Sequence, residues 1–302
     1  MRSATATYII LVNAKAGSSR DDPAGTLRDR FARHGVAAEV RLLPEGADVA
    51  KAAEEARAES PQAIVAAGGD GTINAVAGAL VDTDVFLGVL PLGTLNHFAK
   101  DMGIPLDLDQ AVEVACAGHA TRVDVGRVNG RLFLNNSSIG LYPQVVRARE
   151  AITQRLGHAK WPAFLWAAAG ALRRYPFMEV QLTTDARTRS YRTPLVFIGN
   201  NSYALDGLEL GERACLTAGH LSVHVVKRSD RLGLFVLAAR ALAGRLRQGH
   251  DFETFCATEV CIAARRSSLM VATDGEVNRL DTPLAYAIKP RALAVLVPTR
   301  KR

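Results

Sequence analysis

The first 125 residues alternate between short apolar runs and stretches with helical spacing. The run Tyr8–Val12 is continuously apolar, which is typical of a strand buried on both faces of a sheet. In Pro23–His34, Leu27 and Phe31 stand four residues apart, on one helix face. Further strands are predicted at 36–43, 63–67 and 86–90, and further helices at 47–58, 72–80 and 96–102. This alternation predicts an open, mostly parallel α/β domain over residues 1–125.

After Val123, short runs separated by turn residues replace this alternation. Strands are predicted at 124–128, 132–136, 178–183, 193–198, 221–226, 259–262, 269–273 and 292–297. They predict an antiparallel β domain over residues 126–302. Whether its C-terminal segment returns to the first domain stays open. Two apolar stretches of helical character, Trp161–Arg174 and Arg231–Arg247, interrupt this domain.

Charge and composition narrow the class of protein. The chain has 37 Lys and Arg against 30 Asp and Glu, a formal net charge of +7. A basic surface favours nucleotides, nucleic acid or anionic lipid, although it can also serve solubility alone. The four cysteines form no C-x-x-C pair and are predicted to be reduced core residues. Reduced cysteines and an N-terminal apolar run, Tyr8–Val12, that is too short for a signal peptide predict a cytoplasmic protein. No apolar run reaches the ~18 residues of a membrane span.

A glycine-rich turn, Gly68-Gly69-Asp70-Gly71-Thr72, follows the strand predicted at 63–67. Glycines let main-chain N–H groups approach a ligand, and a helix start offers unpaired N–H groups to phosphate. Thr72 is predicted to cap the helix or to donate to a phosphate oxygen. Asp70 would repel phosphate unless it binds a bridging Mg²⁺ or takes part in proton transfer. The alternative is a tight turn in which Asp70 caps the helix.

Two more turns repeat this design at the predicted carboxyl edge of the sheet. Gly93, Thr94 and Asn96 lie between a strand and a helix, where they either bind a ligand or cap the helix. The turn Asn13–Gly17 carries Lys15, which either reaches a phosphate or is solvated. Together the three turns predict one nucleotide site. The chain has no P-loop motif, no G-x-G-x-x-G at the first helix and no H-E-x-x-H.

These motifs resemble a known family. The segments "GGDGT", "PLGTLNHFA" and "VATDGEV" (Val271–Val277), in this order and spacing, resemble the diacylglycerol kinase catalytic domain of bacterial lipid kinases. That superfamily includes sphingosine and ceramide kinases, with NAD kinases and phosphofructokinases as distant relatives. "NAKAG" (13–17) is similar to the family's first turn, with Ala14 in place of a proline, and "LNNSSIGLYPQVV" (134–146) is similar to the segment after the nucleotide domain. The likeness covers nearly the whole chain.

The resemblance implies an α/β domain that binds ATP with Mg²⁺, a β-sandwich-like lipid-substrate domain, and a cleft between them. It places Asp274-Gly275-Glu276 in that cleft, with Glu276 as the proton acceptor. On an extended strand Asp274 and Glu276 would share a face, so that one binds metal and the other takes the proton. A D-G turn with a solvated Glu276 is the alternative.

The candidate residues fall into three groups. Catalytic candidates are Glu276, Asp274 and Asp70. Nucleotide-binding candidates are Asn13, Lys15, Gly68, Gly69, Asp70, Gly71, Thr72, Asn74, Gly93, Thr94 and Asn96. Asp70 and Asp274 are the candidate Mg²⁺ ligands, acting through Mg·ATP.

The chain departs from the family pattern at two places. Bacterial relatives usually carry Asp-Asp-Gly where this chain has Thr217-Ala218-Gly219, so we do not expect their structural Mg²⁺ here. Leu43 stands where a threonine often contacts the nucleotide, and Glu45 or Asp48 are candidates to compensate.

The function implied is transfer of the γ-phosphate of ATP to a hydroxyl of a lipid such as diacylglycerol. The acceptor stays open among diacylglycerol, phosphatidylglycerol, a sphingoid base and a polyprenyl or glycolipid alcohol. Two alternatives remain: a kinase for a soluble alcohol such as NAD, and a nucleotide-binding regulatory module without turnover. We expect a membrane lipid acceptor and no nucleic acid partner. The two apolar stretches, which have basic ends, either rest on the inner face of the membrane or pack as core helices.

Overall fold

The chain divides into two units. A computed structural model describes residues 8–13, 23–141, 177–201, 217–227 and 252–299. The first unit comprises Met1–Val125 and Pro290–Arg302, and the second comprises Gly126–Lys289. The apolar stretches Trp161–Arg174 and Arg231–Arg247 lie outside the described residues.

Strands and helices alternate through the first unit, as the sequence predicts. Its elements are β1 (Tyr8–Asn13), α1 (Pro23–Arg33), β2 (Ala38–Leu43), α2 (Val49–Ala58), β3 (Ala63–Gly68), α3 (Asp70–Leu80), β4 (Phe86–Pro91), α4 (His97–Asp101), α5 (Leu108–Ala117) and the start of β5 (His119–Val128). The first four strands are parallel and lie in the order β2-β1-β3-β4. All six residues of β3 are buried, which accounts for its continuous run of small and apolar side chains. Because these strands are parallel, the carboxyl ends of β1, β3 and β4 meet at one edge of the sheet.

The second unit consists of antiparallel strands. Its described elements are β6 (Arg131–Phe133), β7 (Asn136–Gly140), β8 (Met178–Thr183), β9 (Thr188–Thr193), β10 (Leu195–Asn200), β11 (Leu221–Val226), β12 (Phe252–Ala257), β13 (Glu259–Ala264), β14 (Ser268–Thr273), β15 (Glu276–Asp281) and the start of β16 (Leu284–Val297). One sheet has the order β12-β11-β10-β7-β14-β15, and in the other β16, β13, β8 and β9 are neighbours. The last residues of β16 belong to the first unit, where Val295 pairs in parallel with Leu87 of β4.

The core of the second unit lies between these two sheets. Ile139, Val196 and Val223 contribute to it from the first sheet, and Val260 and Tyr286 from the second. Because each sheet places alternate side chains on this apolar cluster, the unit is a β-sandwich-like layer pair.

The structure corrects several predicted elements. The strand predicted at 132–136 is broken at Leu134-Asn135 into β6 and β7, and the strand predicted at 193–198 is broken at Pro194, which has no N–H for the ladder. Strands β9, β12, β15 and the first half of β16, and helix α5, were not predicted. Cys256 and Cys261 are exposed, so the prediction that they lie in the core is wrong. Cys116 is half-buried, and burial raises the pKa of its thiol to about 11.

Candidate active site

Thr72 determines the shape of the turn between β3 and α3. A Cβ at Gly68 would lie 2.5 Å from the Thr72 Oγ1, so any side chain at Gly68 would displace the threonine. Thr72 is buried, and its hydroxyl accepts a hydrogen bond of 3.0 Å from the Nδ2 of Asn13. The prediction that Thr72 caps α3 is therefore wrong. It is the third residue of that helix, and its hydroxyl connects the carboxyl end of β1 to the start of α3.

The N-terminus of α3 has no side-chain cap. Its N-cap residue is Gly69, in an extended conformation, which has no side chain to accept a hydrogen bond from the first turn. The neighbouring Gly71 is exposed. Main-chain N–H groups at an uncapped helix start, together with the positive end of the helix dipole, form an anion-binding arrangement.

The two glycine turns pack directly against each other. A Cβ at Gly93 would lie 2.5 Å from the Cα of Gly69 and 2.8 Å from the Oδ1 of Asn96. Asn96 is buried and left-handed, with φ of 50°, and its Oδ1 accepts from the Gly93 N–H at 3.0 Å. Its Nδ2 donates to the Gly93 carbonyl at 2.8 Å. The Asn96 amide thus braces its own loop.

Asp70 also binds main chain. Its Oδ1 accepts a hydrogen bond of 3.2 Å from the N–H of Phe98, the second residue of α4. A carboxylate at a helix start is stabilised by the helix dipole, so Asp70 caps α4 although it belongs to α3. Its second oxygen has no hydrogen-bond partner among the described residues.

Three further nucleotide-binding candidates differ in their surroundings. Asn74 is partly buried, and its Oδ1 has no hydrogen-bond partner among the described residues. Thr94 is exposed, and its hydroxyl has no partner in the part of the chain that the structure describes. Lys15 lies outside the described residues.

Asp274 and Gly275 form a two-residue turn in the second unit. They connect β14 to β15 with φ of 48° and 88°, and Thr273 pairs directly with Glu276. Two consecutive positive φ angles are those of the type I′ hairpin that the Asp-Gly pair favours. Of the two arrangements that the sequence allows for Asp274 and Glu276, an extended strand and an Asp-Gly turn, the structure has the turn.

The Asp274 carboxylate is held by three main-chain N–H groups. Oδ2 accepts from Leu134 at 2.6 Å, and Oδ1 accepts from Asn135 at 2.8 Å and from Asn136 at 2.9 Å. These N–H groups lie at the break between β6 and β7 and at the first residue of β7. Charge-assisted hydrogen bonds of this kind fix the β14–β15 turn to the start of β7. Sequence reasoning missed this contact, although the polar pair Asn135-Asn136 at the break was a possible signal.

Glu276 is the first residue after that turn, and its side chain is 56% exposed. The nearest basic group among the described residues is Arg131, whose Nη1 lies 4.0 Å from the Glu276 Oε2. The carboxylate is therefore accessible to a ligand.

The structure also bears on metals and membranes. Among the described residues, no group of three or more His, Cys, Asp or Glu side chains could hold a metal ion. None of the described helices is long and apolar enough to cross a bilayer.

Asp48, a candidate to compensate for Leu43, accepts the N–H of Lys51 as the N-cap of α2.

Two family models match the chain. A model described as the diacylglycerol kinase catalytic domain matches residues 7–128, and one described as the YegS C-terminal NAD kinase beta sandwich-like domain matches residues 137–297.

Curated relatives and solved structures agree with these matches. A protein of Citrobacter koseri named "Probable lipid kinase YegS-like" is 38% identical over 138 residues, 44% of this chain and 45% of the relative. One of the same name from Chromohalobacter salexigens is 31% identical and covers 75% of this chain and 72% of the relative. In the first of these alignments the chain spans about half the length of the curated relative. A solved diacylglycerol kinase structure from Bacillus anthracis str. Sterne shares the fold, with a TM-score of 0.70, 20% identity and 98% of each chain covered.

Proposed function

Because this chain belongs to the family that combines a diacylglycerol kinase catalytic domain with a YegS C-terminal domain, we propose that it is an ATP- and Mg²⁺-dependent lipid kinase. The proposed reaction transfers the γ-phosphate of ATP to a hydroxyl of a lipid such as diacylglycerol. The observation that carries this proposal is the start of α3, which has no side-chain cap. Its Gly69 packs directly against Gly93 of the turn between β4 and α4. Such bare main chain is suited to polyphosphate.

Main-chain N–H groups do most of the proposed phosphate binding. The first turn of α3 supplies them, and the exposed hydroxyl of Thr94 adds one side-chain donor. The hydrogen bond between Asn13 and Thr72 keeps the ends of β1 and α3 in register for the nucleotide. We assign Asn96 to positioning this loop, because its amide is already used within it.

The donor set fits a magnesium ion that arrives with ATP. Mg²⁺ prefers carboxylate oxygens and usually binds through one or two of them together with substrate phosphates. Asp70 keeps one carboxylate oxygen without a hydrogen-bond partner among the described residues, whereas both oxygens of Asp274 accept main-chain N–H groups. We therefore propose Asp70 as the protein's Mg²⁺ ligand. The bound ion would neutralise charge on the phosphates.

Glu276 is the proposed general base. Its carboxylate takes the proton of the lipid hydroxyl, and the oxygen of that hydroxyl forms a bond to the γ-phosphorus. The bond between the γ-phosphorus and the bridging oxygen breaks, and ADP leaves. Asp274 acts as a positioning residue, because its hydrogen bonds to Leu134, Asn135 and Asn136 fix the turn that presents Glu276.

The test is incubation with Mg·ATP and a total lipid extract, followed by mass identification of phosphorylated products, with a parallel incubation with NAD. We expect a phosphorylated lipid and no phosphorylated NAD. Glu276→Gln removes the base and keeps the size, so the rate should fall about 10²- to 10⁴-fold with ATP binding retained. Asp281→Asn, an exposed carboxylate at the far end of the same strand, is the matched control.

The outcomes separate the alternatives. Phosphorylation of NAD but of no lipid would support the soluble-alcohol kinase. ATP binding with no product from any acceptor, and no effect of Glu276→Gln, would support a regulatory module.

We also propose that the protein works at an anionic membrane surface. The support is the net charge of +7 and the basic ends of the apolar stretches Trp161–Arg174 and Arg231–Arg247. Co-sedimentation with vesicles containing phosphatidylglycerol should occur at low salt and weaken as salt rises. Vesicles of phosphatidylcholine alone are the control, and failure to bind anionic vesicles at low salt would refute this.

A further inference from the structure

The sheet β12-β11-β10-β7-β14-β15 has polar side chains on the face turned away from the apolar core. Ile139, Val196 and Val225 are paired across β7, β10 and β11, and all three belong to the core cluster. Since side chains alternate along a strand, the residues next to them in sequence face the other way.

One row of cross-strand partners crosses this second face. Thr254 pairs with His224, His224 with Phe197, and Phe197 with Ser138, on β12, β11, β10 and β7 in turn. Directly paired residues project to the same side of a sheet. We call these four residues the polar row.

Two members of the polar row are buried with unmet hydrogen-bonding groups. His224 is 1% exposed and Ser138 is 0% exposed, yet the His224 Nε2 and the Ser138 Oγ have no hydrogen-bond partner among the residues that the structure describes. The adjacent Ser137, on the core face, differs. Its hydroxyl donates to the Ala272 carbonyl and lies 3.1 Å from the Tyr286 hydroxyl. Buried polar groups are nearly always paired, so two such groups in one row indicate a place where a polar group can bind.

The surroundings of His224 determine what kind of group it can bind. Its Nδ1 lies 3.0 Å from the Thr254 Oγ1, and its ring lies 5.8 Å from Phe197 and 6.5 Å from Phe252. Burial lowers the pKa of the His224 imidazole to about 4, so the ring is neutral at pH 7. A neutral imidazole among aromatic rings suits an uncharged polar group with apolar neighbours, and not a phosphate or carboxylate.

The polar row lies close to the turn that carries the proposed base. Ser138 is two residues from Asn136, whose N–H binds the Asp274 carboxylate. That interval on a strand is about 6.6 Å. The backbones of Ser138 and His224 are two strand spacings apart, about 9.5 Å, with Phe197 on the strand between them, so their two polar groups lie on either side of the Phe197 side chain.

We propose that Ser138 and His224 each bind an uncharged oxygen atom of the lipid acceptor, from an ester carbonyl or a hydroxyl. This inference rests on the proposed function and specifies the part of the acceptor that the second unit recognises. Phe197 and Phe252 lie beside His224 and supply apolar surface on which the acyl chains of the lipid can pack.

The test compares KM for 1,2-dioctanoylglycerol, or for the lipid found in the extract, in matched variants. Ser138→Ala removes one unpaired hydroxyl and should raise KM about threefold to tenfold, the effect of one hydrogen bond. It should not lower the melting temperature without lipid, because it breaks no protein hydrogen bond. Ser137→Ala is the control on the opposite face: it should lower the melting temperature and leave KM unchanged.

Two variants of His224 separate its ring nitrogens. His224→Asn keeps an amide near Thr254 and removes the Nε2 position, so KM should rise. His224→Gln places an amide where Nε2 was and should restore part of the affinity. Binding of the same lipid, followed as a melting-temperature shift with no ATP present, should weaken in Ser138→Ala and His224→Asn.

The outcomes distinguish this inference from the proposed function. If the wild type phosphorylates the lipid and Ser138→Ala and His224→Asn leave KM and the lipid-induced shift unchanged, the polar row does not bind the acceptor. If the wild type neither phosphorylates nor binds any lipid, the proposed function and this inference both fail.

Discussion

At the scale of single residues, Gly69 and Gly93 approach more closely than residues with side chains can. A Cβ at Gly93 would lie 2.5 Å from the Gly69 Cα, a distance that real Cβ contacts do not show. The obstacle is backbone on the neighbouring turn, which cannot swing aside as a long side chain would. The packing of the two turns therefore depends on this glycine.

Gly93→Ala tests that dependence. The extra methyl should force the two turns apart, lowering the free energy of unfolding by about 1–3 kcal/mol and weakening ATP binding. Urea unfolding and calorimetric titration with ATP measure the two effects. Gly78→Ala is the control, since a Cβ at Gly78 meets nothing within 4 Å and alanine stabilises a helix interior by roughly 0.5–1 kcal/mol. Unchanged stability and ATP binding in Gly93→Ala would refute the close-packing account.

The sequence located the glycine turns but not what their polar side chains contact. Asp70 and Asp274 both bind main-chain N–H groups, from Phe98 and from Leu134–Asn136, that are distant in sequence. Residue type predicts that a carboxylate accepts hydrogen bonds, but only the folded chain determines which N–H groups lack a partner nearby. Asn96 illustrates the same limit, because its side-chain amide forms hydrogen bonds with the main chain of Gly93 in its own loop.

At the scale of elements, buried strands were predictable and edge strands were not. The segments AIVAAG in β3 and LSVHVV in β11 are buried at every residue; the first is continuously small or apolar and the second is rich in valine, and both compositions predict strands. The segments TRSYRT in β9 and EVNRLD in β15 lie at the ends of their sheets and are mostly polar, so periodicity gave no signal for them. Pairing with a neighbour, and not their own sequence, makes them strands.

The broken strand between β6 and β7 shows how an element boundary can follow from a distant contact. Leu134-Asn135 read as part of one run from 132 to 136, and nothing local stops the strand there. The break occurs where the Asp274 carboxylate takes the N–H groups that a ladder would have used. The β14–β15 turn itself was the alternative that the Asp-Gly pair suggested.

At the scale of the whole molecule, stability should depend on pH through the buried His224. Burial lowers the pKa of its imidazole from 6.5 to about 4, and its ring contacts among the described residues are with the uncharged Phe197 and Phe252. In the unfolded chain the imidazole regains an ordinary pKa. Between pH 6.5 and 4 the unfolded state therefore binds a proton that the folded state does not, and stability falls as pH falls through this window.

The prediction is a shallower loss of stability with acid in His224→Gln than in the wild type. A shift of this size corresponds to a loss on the order of 3 kcal/mol at pH 4 relative to pH 7, because one pKa unit is about 1.4 kcal/mol. Melting temperatures measured across this range give the two slopes, and their difference isolates His224 from carboxylates that titrate in both proteins. His34→Gln, which removes an exposed histidine, should follow the wild type. Parallel slopes for the wild type and His224→Gln would mean that the imidazole is hydrated in the folded protein, which would also undermine the polar row as a dry site for a lipid ester.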